Sequence, residues 1–190
     1  GWEAAGVISA APDDSRFKEG EEVVTLTLGS FAEKVAAVPE ATFPKPPGLS
    51  WEQAAAFPMN YLTALAGLQR RGRLREDETV LVHGAAGGTG TAAIQVAKSL
   101  GARVIGVVSG DAKEMVARAA GADEVFRSDG PWKDEVVEFS GGGVDLVFDP
   151  VGGERFTDSL RSLRTEGRVV VVGFSEGSIP EVKVNRLLMN

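Results

Sequence analysis

The sequence predicts an α/β fold, a doubly wound parallel sheet with helices on both faces, preceded by a smaller β-rich segment. Three observations carry that reading. From Thr79 onward strand-like and helix-like stretches alternate, the order that builds a parallel sheet through helical crossovers. The strands are almost wholly apolar, most plainly at Val169-Val170-Val171-Val172, as expected of strands buried on both faces. Between Thr79 and Lys98 a strand, a glycine-rich turn and a helix with small residues in its first turn follow directly on one another.

The amino-terminal part, to about residue 40, reads as short strands and turns. Trp2 to Ala10 is strand-like, Pro12-Asp13-Asp14-Ser15 is a turn, and Glu21 to Leu28 is a second strand rich in valine, threonine and leucine. Pro39, Pro44, Pro46 and Pro47 then predict an extended connector, because proline suits neither a helix interior nor a central strand. Ser50-Trp51-Glu52-Gln53 is a capping box that starts a short helix ending near Pro58. Asn60 to Arg71 reads as a second helix, with Tyr61, Leu65 and Leu68 on one face and Gly72 as its stop. Beyond it, strands are expected at 79–83, 103–108, 124–126, 144–149 and 168–173. Helices are expected at about 90–100, 112–120, 132–139 and 154–164, with Asp111 capping the second and Gly101 and Gly121 ending the first two.

Composition narrows the function. The 190 residues are 43% hydrophobic and carry 20 Lys plus Arg against 27 Asp plus Glu, a net charge of −7, with no basic run. That argues against nucleic acid or an acidic membrane surface as a partner. No stretch approaches the roughly 18 apolar residues of a membrane span. There is no cysteine, which removes disulfides, thiolate nucleophiles and cysteine-ligated zinc. A soluble, cytoplasmic protein acting on a small molecule is the expectation.

The turn at His83-Gly84-Ala85-Ala86-Gly87-Gly88-Thr89-Gly90 points to a pyrophosphate. Glycine lets backbone approach a phosphate without a Cβ in the way, and the following helix offers free N–H groups and the positive end of its dipole. Ala85 stands where G-x-G-x-x-G would have its first glycine, leaving Ala85-x-Gly87-x-x-Gly90 with an extra glycine at Gly88. The flanking strands and helix, rather than the glycines alone, make this a dinucleotide site. Gly87, Gly88, Thr89 and Gly90 are its candidate residues; the Thr89 hydroxyl either donates to a phosphate oxygen or packs its methyl.

The second strand decides between cofactors. An acidic residue about 20 positions past the loop would bond the ribose 2′-OH of NAD. Here Ser109 occupies that place, 19 residues after Gly90, with Gly110 next. A small neutral residue leaves room for a 2′-phosphate, so NADPH is expected over NADH. His83, the only histidine, has no second histidine or cysteine for a metal site and no nucleophile motif for a triad, and reads as structural. The turn Asp149-Pro150-Val151-Gly152 and the segment Gly173-Phe174-Ser175 follow strands, at the carboxyl ends where open α/β sheets bind ligands.

These residues resemble a family. Gly1-x-Glu3-x-x-Gly6-Val7, Gly29-Ser30-Phe31-Ala32-Glu33, Asn60-Tyr61-Leu62-Thr63-Ala64, the turn from His83 to Gly90, Ala119-Ala120-Gly121-Ala122-Asp123 and Phe148-Asp149-Pro150-Val151-Gly152-Gly153 resemble the zinc-independent, zeta-crystallin-like quinone oxidoreductase branch of the medium-chain dehydrogenase/reductases. The resemblance implies that residues 1–50 are part of a GroES-like catalytic domain and 51–190 a Rossmann dinucleotide-binding domain lacking its last strand. It implies a nicotinamide-facing role for Thr63, with Asn60 and Tyr61 beside it on the substrate side, and a phosphate-binding role for Lys113. Val151, Gly173 and Phe174 would line the nicotinamide pocket, and valine would be usual at Thr89.

The implied activity is NADPH-dependent reduction of quinones or similar conjugated carbonyl acceptors without zinc. An enoyl or alkenal double-bond reductase and a nucleotide-binding, non-catalytic relative are the alternatives. The intact protein is expected to be a homo-oligomer. The chain would be the middle of a longer protein and inactive alone.

Overall fold

The computed structural model describes residues 1–186, which form two sheets. The first is antiparallel, in the order β1-β2-β3, with β1 at Glu3–Val7, β2 at Glu22–Leu26 and β3 at Thr42–Pro44. The proline-rich connector is extended as expected, apart from a single 3₁₀ turn at Pro39–Ala41, and Pro44 sits on the edge strand, where it removes no ladder bond. The buried Thr25 and Thr42 hydroxyls bond each other at 2.8 Å across β2 and β3.

Helix α1, Trp51–Ala55, begins at the capping box that the sequence announces: Ser50 Oγ accepts from Gln53 N–H and Gln53 Oε1 from Ser50 N–H. It packs against β1, so the first compact unit runs from Gly1 to Leu62, further along the chain than the sequence-based division at residue 50. Helix α2, Phe57–Leu65, passes directly into a π-helical stretch, Ala66–Arg71, where Gly72 N–H reaches the Gly67 carbonyl at 2.7 Å. The extra residue in that turn rotates the face. Ala64, Gly67 and Leu68 are buried, whereas Leu65, expected inward, is 40% exposed.

The second unit begins at Thr63 and holds a five-stranded parallel sheet. Its strands are β4 Thr79–His83, β5 Arg103–Val108, β6 Glu124–Arg127, β7 Val144–Asp149 and β8 Leu163–Val171, in the order β6-β5-β4-β7-β8. Helices α3 (Gly88–Ser99), α4 (Asp111–Ala119), α5 (Trp132–Ser140) and α6 (Phe156–Arg161) make the crossovers. Right-handed crossovers place α3 and α4 on one face and, after the direction reverses at β7, α5 and α6 on the other. Every residue of β4 and β7 is buried, as their apolar composition predicts. Beneath α5, Trp132 and Val136 join Leu81, Ile105, Val144 and Val147 in one core cluster.

Two expectations are corrected. Asp111 does not cap α4: Gly110 holds the N-cap position, with no side-chain bond to the helix, and Asp111 is the first helical residue, ion-paired with Arg127. Strand β8 starts at Leu163 rather than 168, because the chain bulges between the pairs Val144/Leu163 and Leu146/Arg168, with Glu166 at φ 62°. Helix α6 is correspondingly shorter than 154–164.

Candidate dinucleotide site

Strand order reverses between β4 and β7, and the ends of these two strands build the crevice where open α/β sheets take ligands. On the β4 side the chain leaves His83, turns at Gly84 (φ 57°) and closes with Gly87 N–H on the Gly84 carbonyl at 2.9 Å. Gly87 is the N-cap of α3 without any side-chain cap, and the first intrahelical backbone bond is Thr91 N–H to Gly87 O at 2.8 Å. The helix dipole is therefore presented to the crevice with no capping side chain over it.

The glycines divide by purpose. A Cβ on Gly90 would lie 2.1 Å from the Gly84 carbonyl oxygen, so this position seats the helix against the turn. A Cβ on Gly87 would meet only that oxygen, at 3.3 Å, and the residue has an ordinary φ of −77°. Gly87 and Gly88 are exposed. An added Cβ at Gly87 would press on the Gly84 carbonyl, while the exposed side of the residue leaves its backbone open to the crevice. Thr89 is half-buried in the first turn of α3.

Ala85 N–H bonds Val107 O at 3.2 Å, which brings the loop beside the end of β5. Two residues on, Ser109 is exposed and its Oγ accepts from Lys113 Nζ at 2.8 Å, so strand end and helix turn form one polar cluster, as the sequence places them. On the β7 side, Asp149 Oδ1 accepts from both Val151 N–H (2.8 Å) and Gly152 N–H (2.9 Å), folding the turn back over the strand. Val151 comes to the loop, its Cγ2 3.2 Å from where a Gly84 Cβ would stand.

Gly173 and Phe174 join the same turn. A Cβ on Gly173 would be 3.0 Å from Pro150 O, and Phe174 Cδ1 lies 3.1 Å from an added Gly152 Cβ. The Val151 carbonyl accepts from Glu176 N–H at 3.0 Å, and Phe174 is 45% exposed. Thr63 is half-buried on α2 at the start of this unit. Asn60 and Tyr61 belong to the first unit, where Asn60 Nδ2 donates to Ala56 O at 2.8 Å and Tyr61 stacks on Phe57, ring centres 4.3 Å apart.

His83 lies behind the crevice, fully buried, edge-on to Trp132 at 5.0 Å. The Ser159 hydroxyl donates to Arg155 O at 3.2 Å, so its oxygen accepts from His83 Nε2–H at 2.8 Å. Burial pushes the imidazole pKa down to about 4, against an opposing pull from Asp149. A neutral, inward-facing ring supports the structural reading. Sequence reasoning missed the work of Asp149, although an Asp opening a Pro-x-Gly turn is a signal for such side-chain-to-backbone bonds.

The family follows from comparison. The profile of a family described as zinc-binding dehydrogenase matches residues 88–190. The chain is 40% identical over its whole length to quinone oxidoreductase-like protein 2 of Rattus norvegicus. It belongs to the medium-chain dehydrogenase/reductases of quinone oxidoreductase type. Two solved structures agree. Escherichia coli quinone oxidoreductase complexed with NADPH superposes with a TM-score of 0.89 at 33% identity, covering 98% of this chain and 59% of that one. The CurK enoyl reductase superposes with a TM-score of 0.87 at 30% identity, covering 99% of this chain and 56% of that one. The chain spans about 55% of the length of the rat relative.

Proposed function

We propose that the intact protein is an NADPH-dependent oxidoreductase that passes hydride to a quinone or a similar conjugated carbonyl acceptor without zinc. The observation that carries the reading is the bare Gly87–Gly88 backbone at the uncapped start of α3, beside the Ser109–Lys113 cluster at the end of β5. The cradle fits a dinucleotide. The turn at Gly87 to Gly90 would hold the pyrophosphate, Ser109 and Lys113 the 2′-phosphate, and the side chains of Val151 and Phe174, with Gly173, the nicotinamide end. Thr63 is the remaining candidate there. NADPH, when bound, supplies the hydride, and the protein's part is to orient donor and acceptor and to exclude water.

Zinc does not fit the residues present. Among the described residues no group of three or more His, Cys, Asp or Glu could hold a metal ion. The chain has no cysteine and one histidine, whose Nε2 is bonded to Ser159. The likeness to CurK supports a second reading, an enoyl or alkenal reductase built on the same cofactor unit.

Titration of the intact protein with both nucleotides tests the proposal. NADPH should bind roughly tenfold to a hundredfold more tightly than NADH, the worth of a charge-assisted phosphate contact, and Lys113→Ala should erase most of that ratio. Gly87→Val should lose nucleotide, and a melting curve recorded beside the titration separates that loss from any crowding of the Gly84 carbonyl. Chelators should leave NADPH oxidation by a quinone intact. Faster turnover of enoyl thioesters or conjugated aldehydes than of any quinone would favour the second reading. Tight NADPH binding without turnover of any of these acceptors would leave a binding protein.

A further inference from the structure

Next to the Ser109–Lys113 cluster stands a second cation that the sequence reading left out. Arg127 ends β6, directly opposite Val108 in the parallel ladder, and the next residue, Ser128, donates its N–H to Val108 O at 2.8 Å. This register puts Arg127 alongside the last residue of β5, one position before Ser109. Its guanidinium is ion-paired with Asp111 and, at 3.3 Å, with Asp129 Oδ2. Both carboxylates are open to water, with side-chain exposures of 93% and 70%. The Arg127 Nε is buried, and Nη1 and Nη2 each hold one carboxylate, so each terminal nitrogen keeps a second N–H to offer.

An exposed carboxylate holds a guanidinium only weakly, because water competes for both groups. A phosphate dianion offers more charge and the paired oxygens that a guanidinium fork matches. Asp111 is also the first residue of α4, two positions before Lys113, so its charge opposes any anion brought to that cluster. We propose that Arg127 and Asp111 are opposed determinants of cofactor choice. Arg127 is the second cation for the 2′-phosphate, and Asp111 is the carboxylate that ties it up and repels the same phosphate. This rests on the NADPH reading above and extends it to residues outside the turn and the Ser109–Lys113 pair. Binding of NADPH exchanges the Asp111–Arg127 pair for a phosphate–Arg127 pair; NADH leaves the pair as it stands.

Calorimetric titration of the intact protein with NADPH and NADH, at low and raised salt, tests this on Asp111→Asn, Arg127→Gln, Arg127→Lys and the Asp111→Asn/Arg127→Gln double variant. Arg127→Gln should weaken NADPH about tenfold and leave NADH within twofold, with Arg127→Lys recovering part of the loss. Asp111→Asn should tighten NADPH severalfold, with a smaller gain at raised salt and a smaller gain in the Arg127→Gln background. NADH serves as the internal check on folding. Equal weakening of both nucleotides by Arg127→Gln, or an unchanged NADPH:NADH ratio in both single variants, overturns the proposal while wild-type preference for NADPH leaves the underlying reading standing. Wild-type protein that binds neither nucleotide overturns both.

Discussion

At the scale of single residues, His83 shows how burial decides what a side chain can do. Its position before the glycine turn invites a catalytic role, yet its Nε2 is committed to Ser159 and its ring is sealed under Trp132. Burial, opposed by Asp149, holds its pKa near 4, below the 6.5 of an exposed histidine. The sign of the linkage follows. Between pH 6.5 and 4 the unfolded chain takes up a proton that the folded chain refuses. The stability tied to the neutral ring is whole above pH 6.5 and is lost as pH falls toward 4, by on the order of 3 kcal/mol. Melting curves from pH 7 to pH 4.5 should therefore fall more steeply for the wild type than for His83→Gln. Parallel slopes would show that the ring does not resist protonation.

At the scale of elements, legibility followed the strength of the local signal. The capping box at Ser50, the glycine stops after α3 and α4, and the apolar strands β4, β5 and β7 could be read because each is set by residues within a few positions. Helix α2 could not be phased. Its π turn depends on Gly67 lying against β7, where an added Cβ would come 2.6 Å from Phe148 Cε2, and sequence periodicity carries no trace of that partner. The bulge in β8 was missed for a like reason. It lets Arg168 reach across to Gly72 O at 2.7 Å and Glu78 Oε1 at 3.1 Å, contacts distant in the chain. In the site, the loop and Ser109 were legible from spacing and Lys113 from the family resemblance, whereas Arg127 needed the β5–β6 register. The π turn makes a prediction of its own. Gly67→Ala improves helix propensity by about 1 kcal/mol but crowds Phe148, a cost of about 1–3 kcal/mol. The denaturation midpoint should drop, and Phe148→Leu in the same chain should restore part of it. A midpoint that rises in the single variant would mean the ring yields freely.

At the scale of the whole molecule, the two edges of the parallel sheet are protected unequally. Strand β6 is short, Glu124–Arg127, and its ends are charged. Strand β8 is nine residues long and valine-rich, its last residue, Val171, is 38% exposed, and among the described strands only β7 pairs with it. A long apolar edge with unpaired backbone groups is a template for another strand. Residues 1–190 expressed alone should therefore associate, with β8 as the contact, and the bulge around Glu166 should confine pairing to the segment after Gly167. A charge at that edge should oppose it. Val171→Lys puts an ammonium on an exposed position of the edge strand, in register with Asp149 of β7. Light scattering across a concentration series should show the wild-type chain growing in mass and the variant shifted toward monomer, with equal melting temperatures. A wild-type chain that stays monodisperse at monomer mass would show that β8 is already shielded, and association unchanged in Val171→Lys would place the contact elsewhere.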